Sequence, residues 1–174
     1  WACRSEPKSC RACCRWMMRP VAEWPDLAGR FVGPVHILPI RVYHEDTDFS
    51  GAVYHANYLK FCERARSDCL RLLGIHHHRL DAIGFMVRRM VCDFLTPARI
   101  DDLLEVETRL VEAGGARMEL GQAIKRGGGL VFSASVTVAL VDTSGKPRRL
   151  TPAMRQAFIS LAGTGAPSPQ QAGG

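Results

Sequence analysis

The sequence predicts an α+β domain in which one long helix lies across an antiparallel sheet. Three observations carry this expectation. A run from Tyr54 to Leu73 places apolar residues at helical spacing. Several later segments show strand character, most of them alternating apolar and polar residues. Short glycine turns, Gly114-Gly115 and Gly127-Gly128-Gly129, join consecutive strands and leave room only for antiparallel neighbours. Strand, helix and then strands in that order puts the helix on one face of the sheet.

Taken along the chain, His36 to Tyr43 alternates around Ile37, Ile40 and Val42 and predicts a strand. An acidic loop follows. The helix stripe comprises Tyr54, Tyr58, Phe61, Cys62, Ala65, Cys69, Leu72 and Leu73. Glu63, Arg64, Arg66 and Arg71 fall off it, so Arg64 and Arg66 are expected on a solvated face. Gly74 suits a C′ position that ends the helix. Phe85–Phe94 is the next strand, stopping near Pro97. Leu104, Val106, Thr108 and Leu110 alternate with Glu105, Glu107 and Arg109 as a half-buried strand. Met118, Leu120 and Ile124 continue the alternation, and Leu130–Val141 is the longest strand, closed by Thr143-Ser144-Gly145. Thr151-Pro152 reads as an N-cap and N1 proline opening a last helix to Leu161. The sheet expected is of about five strands.

A chain of 174 residues is long enough to bury a sizeable core in one domain. Residues 1–34 show neither period, contain no initiator Met and read as an N-terminal arm, disordered or a non-native extension. Residues 35–161 form the domain, and residues 162–174 have the composition of a flexible tail. The formal net charge is +6, but the arm alone holds six cations against three acids, and no basic run is interleaved with aromatics. Nucleic acid is therefore not expected as a partner. No apolar run approaches the ~20 residues of a membrane span. No signal-peptide pattern opens the chain, and Cys62, Cys69 and Cys92 read as buried thiols, so a cytoplasmic, reducing setting is expected.

The chemistry is concentrated in EDTDFSGAVYHANYLKF, Glu45 to Phe61, where three acids, a glycine and a histidine stand at the mouth of the helix. Read without further context, Asp48 is a loop acid or a helix-capping carboxylate. The longer run VYHEDTDFSGAVYHANYLKFCERARSDCLRLLG, together with LTPARIDDLLEVETRLVE, closely resembles the hotdog-fold acyl-CoA thioesterases. Within them it is similar to the 4-hydroxybenzoyl-CoA thioesterase family and its branch associated with the Tol–Pal system. The resemblance spans about Val35 to Ile159.

The resemblance implies a helix wrapped in a curved sheet, a homodimer or homotetramer, active sites at the subunit interface, and a thioester substrate carried on coenzyme A or on acyl-carrier protein. Carried over by position, Asp48 is the catalytic carboxylate, as nucleophile or general base. His55 and Tyr43 fall on the family's histidine and tyrosine positions. Gly51 permits close backbone approach, and an N–H near Tyr54 or His55, at the positive end of the helix, suits a thioester oxygen. Val53 and Asn57 complete the expected substrate-binding set. Asp46 and Glu45 are expected to orient the loop or face solvent. Phe49-Ser50 departs from the small residues often found before Gly51, which bears on acyl-pocket shape.

Arg88-Arg89 and Lys125-Arg126 offer charge to coenzyme A phosphates, or are exposed strand-edge cations. Neither His76-His77-His78 nor the Cys3, Cys10, Cys13, Cys14 cluster has the partners of a metal site, so no metal or redox cofactor is expected. Two other functions suit the same fold: a hydratase or dehydratase of acyl thioesters, and a non-catalytic acyl-CoA or acyl-carrier-protein binding module.

Overall fold

The structure is a computed structural model and describes residues 28–76 and 82–162, with the backbone alone for 159–162. The cysteine cluster of the arm, His77, His78 and the tail beyond 162 lie outside the described residues. The sheet has six strands in the order β1-β2-β4-β5-β6-β3, every pairing antiparallel. These are β1 (Arg30–Val32), β2 (Val35–Arg41), β3 (Ile83–Phe94), β4 (Leu103–Ala113), β5 (Arg117–Arg126) and β6 (Gly129–Asp142). The helices are α1 (His55–Leu72) and α2 (Pro152–Ala162). Bulges at Val87/Arg89, Leu110/Glu112 and Ile124/Lys125 add the local twist with which a sheet curls around a helix.

The sixth strand is β1, inside the span read as the arm. Three residues are too few to show a period. It pairs with β2 across Gly33-Pro34, with Gly33 at φ 57. A hydrogen bond from the Gly29 N–H to Asp68 Oδ2 at 2.7 Å ties this entry to α1. Strand β2 ends at Arg41 and not at Tyr43. Val42 instead bonds through its N–H to the Asp102 carbonyl and accepts the Asp101 N–H, and His44–Asp46 then winds a single 3₁₀ turn.

Helix α1 buries Tyr58, Phe61, Cys62, Ala65 and Cys69 against the sheet, where Leu104, Val106, Ile124, Phe132 and Val136 receive them. Tyr58 stacks on Phe132 at 5.4 Å between centroids. Truncating Phe61, which has no exposed surface, should cost about 3–5 kcal/mol. Two stripe residues do not follow the helical wheel. Tyr54 is the N-cap and is 46% exposed, and Leu72 in the last turn is 37% exposed. Arg64 is exposed, its guanidinium 5.8 Å from the Phe61 ring centroid. Arg66 is not solvated as expected: it is half-buried and hydrogen-bonds Gln122 of β5. Gly74 follows the helix at φ 77, as a C′ glycine does.

Candidate functional site

The segment between β2 and α1 folds back on itself. Asp48 N–H donates to the Ala52 carbonyl and Gly51 N–H to the Asp48 carbonyl, both at 3.0 Å. The turn requires Gly51 at φ 74, a backbone conformation that a side chain disfavours. Thr47 bridges Val53 and Ala52 bridges Arg99, so the turn is pinned from both sides.

Asp46 and Asp48, two residues apart, meet opposite environments. Asp46 is 4% exposed. Its Oδ2 accepts the Tyr43 N–H, and its carbonyl accepts both the Tyr54 N–H and Asn57 Nδ2, each at 2.9 Å. Asp46 therefore orients the loop, and Asn57, buried in the first turn of α1, is the tether that holds loop to helix. Glu45 faces solvent.

Asp48 is exposed. Its Oδ1 accepts both the Ser50 hydroxyl at 2.6 Å and the Ser50 N–H at 2.8 Å, while Oδ2 accepts no bond from the described residues. The Ser50 hydroxyl and then its N–H hold the Asp48 carboxyl below the ordinary carboxylate range, and His55 adds to this through space. Asp48 and His55 are thus near enough to interact, although no hydrogen bond joins them.

Helix α1 opens at His55 with no side-chain cap on Tyr54. The Asn57 N–H turns back to the Tyr54 carbonyl. The N–H groups of His55 and Ala56 have no acceptor among the described residues, so the positive end of the helix is open beside the Asp48 loop. The His55 ring is exposed, 4.3 Å from the Tyr54 ring and 6.4 Å from Phe94 between centroids. A groove of about 260 Å³ runs from this point, lined by Val53, His55, Tyr58, Phe94, Leu95, Thr96 and Pro97.

Of the residues singled out from sequence, Asp48, Gly51, Val53, Tyr54, His55 and Asn57 come together at the mouth of α1. Tyr43 does not share the His55 groove; it is 59% exposed and lines a second, wider groove with Arg41, Arg64 and Arg71. Arg88 and Arg89 are exposed on the edge strand β3, six and five residues before Phe94. An extended strand puts them about 17–20 Å from the groove in the same protomer. Three features were not read from sequence. Phe94 to Pro97 floor the groove, marked in sequence only by the strand stop at Pro97. Arg99 stands 3.9 Å from where a Gly51 Cβ would lie. The third is the buried pair of His36 and Asp68, bonded at 2.9 Å.

A carboxylate with one unengaged oxygen, an open helix N-terminus and an apolar groove beside both make a site suited to attack on a carbonyl. The protein class they point to is that of the hotdog-fold acyl-transfer enzymes. The thioesterase superfamily model matches residues 50–133, which include Gly51, His55 and the whole of α1. Acyl-CoA thioesterase YbgC of Haemophilus influenzae is 40% identical over 127 residues, 71% of this chain and 93% of that protein. Acyl-CoA thioester hydrolase YbgC of Escherichia coli is 41% identical over 120 residues, 64% of this chain and 87% of that protein. The crystal structure of a probable thioesterase from Bartonella henselae, 44% identical, superposes with a TM-score of 0.66 over 67% of this chain and 99% of its own. The chain belongs to the thioesterase superfamily, has the hotdog fold, and is a thioester hydrolase.

Proposed function

We propose that this chain hydrolyses acyl thioesters of coenzyme A or of acyl-carrier protein, with Asp48 as the reacting carboxylate. The observation that carries this reading is the pairing of Asp48 with the open N-terminus of α1. The His55 and Ala56 N–H groups receive the thioester oxygen as negative charge develops on it. Ser50 fixes one Asp48 oxygen and leaves Oδ2 to act. Direct attack by this free oxygen is the role proposed. Oδ2 bonds to the acyl carbon, the C–S bond breaks, and the thiolate leaves and takes a proton from water. Water then cleaves the mixed anhydride and restores Asp48. His55 positions the thioester.

The acyl group takes the groove floored by Phe94 to Pro97, and Arg99, exposed beside Gly51, offers a cation to coenzyme A phosphates. Arg88 and Arg89 reach the coenzyme A part of the substrate only at a more distant phosphate or from a second copy. A homodimer or homotetramer is part of the proposal. Strand β3 pairs only with β6 among the described residues, and its free edge exposes Met86, Val87, Val91 and Phe94. Phe49, fully exposed, and Leu95 extend the apolar surface to the site. A second copy covering this edge would also screen Asp48 from water. Cys62 and Cys69 are buried free thiols, in keeping with a reducing compartment.

Free-thiol release from a panel of acyl-CoA and acyl-carrier-protein thioesters tests the reading. Turnover that requires the Asp48 carboxylate supports it. Absorbance change with enoyl-CoA and no thiol release would instead establish a hydratase, and binding without turnover a carrier module. Single turnover in ¹⁸O-water separates the two Asp48 roles: direct attack, with water then cleaving the anhydride at the Asp48 carbonyl, leaves the first product unlabelled and puts label into Asp48 in that turnover, whereas a general base labels the first product at once.

A further inference from the structure

The inner side of α1 holds a polar cluster that thioester hydrolysis does not use. Arg66 Nη1 donates to Gln122 Oε1 at 2.7 Å. Gln122 is itself fixed, donating from Nε2 to the Cys62 carbonyl at 3.0 Å and to Thr108 Oγ1 at 2.9 Å. One of the five guanidinium donors is thereby occupied. Among the described residues no carboxylate pairs with Arg66. Glu63, three residues earlier on α1, acts on Arg66 through space but forms no salt bridge with it, and its Oε1 accepts the Ser67 hydroxyl at 2.6 Å. A half-buried guanidinium without a close ion pair is costly in a protein interior.

Arg66 lines one side of a cavity of about 130 Å³ between α1, the sheet and α2. Its other walls are largely apolar and include Leu70, Phe85, Met118, Leu120, Val138 and Phe158. The size is near that of the ~150 Å³ cavity known to hold one benzene molecule. The α1 residues that line it, Glu63 to Leu70, stand 8 to 15 residues beyond His55, about 12–22 Å along the helix axis. The fully buried Phe61 and Cys62 lie in the intervening turns. The cavity is therefore separate, within one protomer, from the groove at the helix mouth.

We infer that this cavity binds a small monocarboxylate whose apolar part is about one ring in size. The unoccupied edge of the Arg66 guanidinium forks the carboxylate, forming the close ion pair it lacks, and the ring fills the apolar hole. Gln122 acts as a positioning residue, holding the guanidinium at the cavity wall through its own two bonds.

The test is titration of the full-length protein with benzoate, and separately with benzyl alcohol, which keeps the ring and lacks the charge. Benzoate is expected to bind saturably at one site per chain, roughly 10- to 100-fold tighter than benzyl alcohol. Nuclear Overhauser contacts are expected from its ring protons to the methyls of Leu70, Leu120 and Val138. In Arg66→Met, benzoate should weaken by a similar factor while benzyl alcohol is unchanged, and Arg66→Lys should recover part of the loss. Absence of saturable benzoate binding up to about 10 mM, a millimolar limit being the weakest useful affinity, would overturn the inference. So would equal affinity for the two ligands, or ring contacts to Val53 and the Phe94 groove instead. The parent protein alone decides these outcomes should Arg66→Met not fold.

Discussion

Among the described residues an aspartate faces a histidine at two places, and the two pairs are built in opposite ways. His36 has no exposed surface, and its Nε2 meets Asp68 Oδ2 at 2.9 Å. Asp68 also accepts the Gly29 N–H and a bond from Arg71. Every one of those bonds joins one element to another, β2 and the entry to β1 onto α1, or braces a helix turn. Asp48 and His55 share no hydrogen bond, stand exposed, and leave Asp48 Oδ2 unengaged. A carboxylate whose lone pairs are spent on the fold holds it together. One that keeps an oxygen open at a helix N-terminus is available to a substrate. The tighter Asp–His pair is therefore the structural one.

The largest expected effect separates the two aspartates directly. Asp48→Asn keeps shape and removes charge and nucleophilicity, so kcat for thiol release should fall by about 10²–10⁴-fold, with KM little changed. Asp68→Asn should leave kcat within a few-fold and instead lower the urea midpoint. It weakens bonds to Gly29, His36 and Arg71 together, a loss of about 2–3 kcal/mol. Equal turnover in Asp48→Asn and the parent would end the proposed mechanism. A collapse of kcat in a folded Asp68→Asn would show that the comparison is drawn at the wrong pair.

The pairs also respond differently to acid. Burial holds His36 below its ordinary pKa, more than its bond to Asp68 raises it. As pH falls, the unfolded chain gains this proton first, so the stability is complete above about pH 6.5 and is lost as pH drops through the folded value. Asp68 is pushed up by burial, yet bonds from Arg71, His36 and the Gly29 N–H leave it below its ordinary value. Its share of stability persists to about pH 4 and is lost below that, through its folded pKa. Thermal midpoints against pH should show an upper loss that disappears in His36→Gln. Asp48 adds little to this curve, being exposed. It should instead set the acid limb of the pH–rate profile, lying below the ordinary carboxylate pKa of about 3.9 because Ser50 stabilises the charged form. Ser50→Ala should move that limb upward.

How legible these regions were follows from how local their signals are. The stripe of α1, the C′ role of Gly74 and the crowded loop before His55 are written within a few residues of each other, and the structure places them together. The His36–Asp68 pair spans 32 positions and two element types, with no motif to announce it. Strand β1 is shorter than any period. The place of Arg66 escapes a helical wheel, which sorts residues by angle alone, because its long side chain reaches Gln122, 56 positions away. Phe94 to Pro97 join the site only because β3 returns past the start of α1, a tertiary fact that Pro97 alone cannot signal.

The smallest expected effect is the most exacting, because it lies within one loop. Asp46 and Asp48 differ by two positions, and electrostatics at that range would treat them alike. Their hydrogen bonds do not. Asp46 Oδ2 accepts the Tyr43 N–H from a site 4% exposed, and an asparagine there still offers an oxygen to that donor. The bonds from Tyr54 N–H and Asn57 Nδ2 go to the Asp46 carbonyl and survive any side-chain change. Asp46→Asn should therefore cost about 1 kcal/mol of stability, the weakening of one hydrogen bond, and leave kcat within roughly threefold of the parent, less than a tenth of the Asp48→Asn effect. Asn57→Ala removes the tether itself and should raise KM more than it lowers kcat, as the loop and the helix mouth lose register. If Asp46→Asn lowers kcat as far as Asp48→Asn, the negative charge of the loop, and not one positioned oxygen, does the chemistry.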